Sequence, residues 1–243
     1  MIVADLIAQI ETSVPPIYSM VGDEPQFFGS SQTLQTDISK VTVMMDYYSG
    51  QIIPEDTEFL VLHHPPKTGI PPLPTYVLHS GWDAFPGGAG DALADVFELT
   101  ERALLDASTR LGRVGKLPNG AVSLDEFAKQ AAKKLGRPYL QIVSEIPDIS
   151  IETVAVVSGF GLNPSMIKLA KQKGADVFLS GDLTHPGAIL AKSLTIPLID
   201  ATHYATELPG LYRLRDLIAS FGVESAVFDT SVPWRMKTYY ENY

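Results

Sequence analysis

"TVAVVSGFGLNPSMIKLAKQKGADVFLSGD", residues 153–182, decides the fold. Its opening run is β-branched or apolar up to a Ser-Gly stop, which reads as a strand. Asn163 followed by Pro164 predicts a helix start, because Asn accepts a hydrogen bond from the first turn and Pro has no N–H to lose there. "ADVFLSGD" (175–182) reads as a second strand. Further out, "HPGAILAKSLT" (185–195) predicts a helix, "IPLIDATH" (196–203) a strand and "LPGLYRLRDLIASFG" (208–222) a long amphipathic helix. Strands alternating with helices of this length are βαβ units, so an α/β fold with a largely parallel sheet flanked by helices is expected. Such sheets carry their chemistry at the carboxyl ends of the strands.

Toward the N-terminus the pattern is looser. "MIVADLIAQIETSV" (1–14) has apolar residues at helical spacing, and "VTVMMDYY" (41–48) and "EFLVLHH" (58–64) are β-rich. Residues 65–90 are too rich in Pro and Gly for regular structure beyond "TYVLH" (75–79), and "DALADVFEL" (91–99) reads as a helix. A new segment opens near Leu111, with Ser123 and Glu126 as a capping box and Gly136 as the helix stop. "SGFGLNP" (158–164) looks like a truncated GxGxxG, but Pro164 stands where the third glycine belongs, which argues against a dinucleotide site. Gly159 and Gly161 are instead expected to let backbone N–H groups approach an anion at the helix N-terminus.

The chain has 243 residues, 45% hydrophobic and 19% charged, the balance of a globular protein. No apolar run reaches about 18 residues and no basic-then-apolar leader is visible, so no membrane span and a cytoplasmic setting are expected. A formal charge of −10 argues against nucleic acid as a partner, since phosphate-tracking proteins need a basic face. Cysteine is absent, so any metal must be held by His, Asp and Glu.

The five histidines, His63, His64, His79, His185 and His203, each fall at or just beyond the end of a predicted strand. A lone histidine is more often structural than a ligand, but five at strand ends share one edge of the sheet. Neighbours on a strand point to opposite faces, so His63 and His64 can share one task only where the backbone bends, and Pro65 and Pro66 supply the bend. His79 precedes Asp83 by four residues and His203 precedes Glu207 by four, a spacing that puts both side chains on one face of a helical turn. Three or four imidazoles with two carboxylates exceed the needs of one zinc ion and suffice for two ions sharing a carboxylate. Asp182 either caps the helix after it or supports the site from behind, and Asp46 carries the same ambiguity.

Five motifs in this order, "LVLHHPP", "HSGWD" followed by "GGAGDALADVF", "LGRVGKL", "FLSGDLTHP" and "DATHYATE", resemble the NGG-one-interacting-factor-three-like proteins, a dinuclear-metal family whose members are often called GTP cyclohydrolase type I-B homologues. The resemblance implies two divalent ions per subunit held by His63, His64, Asp83, His203 and Glu207, with His79 adjacent. It also implies a single family domain over residues 1–243 with two similar α/β lobes, about 1–110 and 111–243, a metal site between them, and a homohexamer in the cytoplasm. Two departures stand out: "HSGWD" replaces the family's HTNxD, and its N-terminal Asp-Asn-x-Gly-Leu signature has no clear counterpart, "EPQFFGSS" (24–31) standing roughly in its place.

Three readings follow. One is a metal-dependent hydrolase acting on a small polar ligand such as a purine nucleotide, with His79 or His185 moving protons. Another is a non-catalytic, metal-loaded hexameric scaffold. In the third the histidines merely cap strands. The ligand types suit zinc, iron, manganese, cobalt or nickel alike. The aromatic tail "VPWRMKTYYENY" (232–243) either seals a subunit interface or folds back on its own chain.

Overall fold

The computed structural model describes residues 1–146 and 148–237. Helix α1 (Val3–Ser13) leads to strands β1 (Gln26–Phe28), β2 (Lys40–Met44), β3 (Phe59–Leu62) and β4 (Thr75–Val77), then to the short helix α2 (Ser80–Ala84) and to α3 (Ala89–Val96). Next come β5 (Thr100–Leu104), β6 (Arg113–Lys116), β7 (Val122–Ser123), α4 (Leu124–Lys134), β8 (Gln141–Val143) and β9 (Ser150–Ile151). The remainder is β10 (Thr153–Phe160), α5 (Pro164–Gln172), β11 (Val177–Gly181), α6 (His185–Leu194), β12 (Leu198–Asp200), α7 (His203–Ala219) and β13 (Glu224–Val227).

Two main sheets form, mixed rather than purely parallel. The first has the order β1-β4-β3-β2-β13 and is parallel except for β1; the second has the order β5-β6-β10-β11-β12-β8 with a parallel centre, β10-β11-β12. Their central strands, such as β3 and β11, are buried on both faces, which explains the apolar runs there. Along β10, Val154 and Val156 join the core under α3 and α4, whereas Ala155 and Val157 join the core under α5 and α6, the two-residue period of a pleated strand. In β3, Phe59 and Val61 face α1 and α7 while Leu60 and Leu62 face the opposite side. Each fully buried Val, Leu or Phe among these contributes about 1.5–3 kcal/mol of transfer free energy.

The sheets do not divide the chain at residue 110. Strand β5 lies before that point yet belongs to the second sheet, and β13 lies after it yet returns to pair with β2 in the first. Neither strand is an apolar run that residue order would reveal: β5 is mostly exposed and β13 alternates exposed and half-buried residues. Helix α7 also starts earlier than its apolar pattern suggests. Thr202 caps it, accepting from the Ala205 N–H at 3.3 Å, and Pro209 sits inside it instead of near its start. This helix touches β10 and β11 of the second sheet and β2 and β13 of the first, and in its first turn Tyr204 joins the core beside the first sheet and Ala205 the core beside the second. The Ser123 cap holds as expected, although Glu126 spends its carboxylate on Gln130.

Candidate metal centre

Strand β3 ends at Leu62, but its ladder persists through the next two residues, His63 N–H to Met44 O at 3.0 Å and His64 N–H to Met45 O at 2.9 Å. The bend at the prolines then lets both imidazoles turn to one centre, with ring centroids 4.8 Å apart. Asp83 comes from α2, and His203 and Glu207 from the first turn of α7, where His203 Nε2 stands 3.0 Å from Glu207 Oε1. His63 Nε2 lies 3.6 Å from Asp83 Oδ1 and 3.5 Å from Glu207 Oε1; His64 Nε2 lies 3.2 Å from Glu207 Oε2 and 3.2 Å from His203 Nε2.

Every imidazole in the cluster is held from behind through Nδ1. His63 donates to Leu78 O at 3.1 Å, His64 to Asp46 at 2.8 Å, His203 to Asp182 at 2.6 Å and His79 to Asp23 at 2.8 Å. With Nδ1 spent this way, Nε2 is the free nitrogen on each ring, the arrangement by which outer partners fix a metal-ligating histidine. Asp182 and Asp46 thus act behind the site. Thr184, not Asp182, caps the helix that follows, accepting from the Gly187 N–H at 3.1 Å.

Close packing supports the cluster. A Cβ on Gly159 would collide with Glu207 Oε1, and one on Gly181 with the backbone of His203, so glycine is required at both places. The Gly159 N–H is taken by Thr206 Oγ1 at 2.9 Å, and Gly161 lies against Ser180. This corrects the anion-binding expectation: both glycines serve close approach. Asp182 and Thr202, beside His203, hold positive φ of 58° and 75° without being glycine, strain of the kind that clusters at functional sites.

Electrostatically the centre is a knot of opposed charges. Burial draws the His64 and His203 imidazoliums down, but Asp46, Asp182 and Glu207 outweigh it and raise them to about 9 and about 10. His63 is likewise raised against its burial by Asp83 and Glu207. Burial pushes the Asp83 carboxyl up, while the three surrounding imidazoles hold Glu207 well below the usual range despite its own burial.

The donor atoms form three overlapping groups, each within 4.8 Å: His63, His64 and His79; His64, His203 and Glu207; His63, Asp83 and Glu207. His63 Nε2 and Glu207 Oε2 are buried and make no hydrogen bond, an expensive state that a shared cation relieves. The 3.0 to 3.6 Å donor spacings also match the roughly 3.3 Å expected around a tetrahedral ion with 2.0–2.1 Å bonds. The residues therefore fit a metal. His185 does not join them: it is exposed as the first residue of α6 and outside all three groups. Asp23, which holds His79 and accepts the Ser80 N–H at 3.1 Å, has no strand or motif to mark it in the sequence. Ser158, donating to Asp83 at 3.0 Å, stands in the Ser-Gly stop of β10, but nothing in the sequence points from it to Asp83.

A cavity of about 420 Å³ opens onto this centre, walled by His64, His79, His203, Asp46, Asp182 and Tyr204 among others, and the Tyr204 hydroxyl is buried with no partner. By fold and site this is an α/β protein whose converged imidazoles and carboxylates, beneath a ligand-sized cavity, could hold a metal ion. The chain belongs to the Duf34/NIF3 (NGG1p interacting factor 3) family, whose model matches residues 72–233. A protein of Methanothermobacter thermautotrophicus called "GTP cyclohydrolase 1 type 2 homolog" is 40% identical over 230 residues, 94% of this chain and 93% of that one. Among solved structures, reduced HcgD from Methanocaldococcus jannaschii superposes with a TM-score of 0.78 at 30% identity, covering 94% of this chain and 98% of that one. A Bacillus cereus protein related to NIF3 shares the fold with a TM-score of 0.83 at 17% identity, over 98% of this chain and 99% of that one.

Proposed function

We propose that this chain is a metal-dependent hydrolase carrying two divalent ions and acting on a small polar ligand such as a purine nucleotide, by C–N or phosphoester hydrolysis. The observation that carries it is a pair of buried atoms that make no hydrogen bond, His63 Nε2 and Glu207 Oε2, the latter facing only the His64 imidazole at 3.2 Å, beneath a cavity large enough for a ligand. His63, Asp83 and Glu207 would hold one ion and His64, His203 and Glu207 the other, Glu207 being common to both groups. Two ions held there would supply an activated water and polarisation of the bond to be cleaved. The chain's own part is positioning and proton traffic. Asp46, Asp182 and the Leu78 carbonyl fix three rings, while Asp23 orients His79 on the cavity wall, where its Nε2 can hand a proton to a leaving group. Of the two histidines expected to move protons, His79 lines the cavity, whereas His185 is exposed on α6, so the role is given to His79.

The open cavity favours an enzyme over a scaffold, and the name of the Methanothermobacter relative agrees with a nucleotide as ligand. Metal analysis of purified protein, with His63→Ala and Glu207→Ala, is the first test: two ions per chain retained in both variants would remove the site. Nucleotides, cyclic amides and phosphoesters are then offered with and without chelator, and turnover indifferent to chelator would end the metal-dependent mechanism. The same reading carries a cytoplasmic homohexamer, which light scattering of the loaded protein checks for mass.

A further inference from the structure

We propose that the cavity over the histidine cluster continues into a second one, and that together they take an elongated ligand with a flat ring and a terminal phosphate held by Arg137. This rests on the reading of the cluster as a ligand-facing metal centre. The second cavity, about 400 Å³, shares Asp182 and Trp234 with the first, so the two adjoin across those residues.

Unpaired polar atoms point to a ligand that spans both. Among the described residues five buried side-chain polar atoms lack a hydrogen bond, and four of them belong to residues at these two places: His63 Nε2 and Glu207 Oε2 at the centre, the hydroxyl of Tyr204, a residue that lines the first cavity, and Nε of Arg137, a residue that lines the second. In a chain of net charge −10 an arginine with no carboxylate against it is conspicuous. Its planar fork matches phosphate, two N–H groups to two oxygens. The carboxylates nearby are already engaged. Asp200 accepts the Leu183 N–H at 2.9 Å and the Thr202 N–H at 2.7 Å, and Asp182 accepts from His203 Nδ1. Trp234, 50% exposed, supplies a flat face between the cavities, and Phe160, 52% exposed, a second one beside the cluster. Aromatic faces of this kind stack on planar rings. The tail thus folds back on its own chain as far as Met236; its last residues, 238–243, lie outside the described residues.

Calorimetric titration of the metal-loaded chain with guanosine 5′-monophosphate and with guanosine is the test. The phosphorylated probe should bind about tenfold more tightly or better, the worth of a charged hydrogen-bond pair. Arg137→Gln should bring its affinity down to that of guanosine while metal content and guanosine affinity stay unchanged, with Arg137→Lys in between. Trp234→Ala should weaken both probes alike. Equal affinity for the two probes in the natural chain, or an undiminished preference in Arg137→Gln, overturns the proposal and leaves the metal reading intact. Arg137-dependent binding by protein that never carries metal does the reverse.

Discussion

Strands β3 and β11 both run into a stretch of histidine and proline, "HHPP" and "DLTHP", yet only β3 delivers its histidines to the centre. The difference is distance from the strand end. His63 and His64 are the first two residues past Leu62 and remain on the ladder through their N–H groups. Three residues separate Gly181 from His185, and by then the chain has turned into α6. What β11 contributes is Asp182, the residue directly after it, held at φ 58° against His203 Nδ1. A side chain next to a strand terminus inherits the rigidity of the sheet; a few residues on, it needs an anchor of its own. His203, three past β12, has that anchor in Asp182, and His79, two past β4, has it in Asp23.

If that contrast is right, the sharpest effect belongs to Glu207. Replacing it with Gln removes the one carboxylate common to two donor groups, and metal affinity should fall by more than the roughly 10- to 100-fold that loss of an outer partner costs. Competition against a chromophoric chelator measures this, and affinity within a few-fold of the natural chain would show that Glu207 is not central. Asp182→Asn and Asp46→Asn come next, each expected to weaken binding by about 10- to 100-fold with stoichiometry unchanged. Indifference of both variants would mean that being held through Nδ1 has no bearing on the ligand role.

Protons give a smaller but cleaner effect. In the metal-free chain His64 and His203 hold their protons to about 9 and about 10, above the ordinary 6.5 of the unfolded state. A raised folded-state value means the stabilisation is complete below about pH 6.5 and is lost as pH climbs through 9 to 10. Chelator-treated protein should therefore lose melting temperature over that window, by on the order of a few kcal/mol in stability. Metal uptake near neutrality must expel those protons, so its calorimetric heat should change with the ionisation enthalpy of the buffer. Heat that does not vary among buffers would mean that the imidazoles are not being displaced from their protons.

The same reasoning shows which parts could be read from residue order. The β10 to α7 half was legible because its central strands are buried on both faces, giving unbroken apolar runs between capped helices. Neither β5 nor β13 offers such a run, and β13 reaches β2 across the whole chain, a pairing that no local pattern encodes. In the site, spacing within one turn exposed His203 and Glu207, and adjacency exposed His63 and His64. Asp23 meets His79 from 56 residues away, Ser158 meets Asp83 from 75, and Gly159 is explained only by the carboxylate its missing Cβ would strike. Contacts made by folding itself leave no local trace.

The smallest effect is the one most able to break the contrast. His185→Ala should leave metal stoichiometry and affinity unchanged and shift stability by no more than about 0.5 kcal/mol, as for a surface residue removed from special features. The reasons are local: the side chain is exposed, Thr184 rather than His185 caps α6, and no donor group includes it. Its neighbour three residues earlier offers the internal control, since Asp182 sits on the same loop and differs only in standing directly after the strand. Were His185→Ala to cost as much metal affinity as Asp182→Asn, proximity to the strand end could not be what selects a ligand, and α6 would have to swing its first turn toward the cavity in the loaded protein.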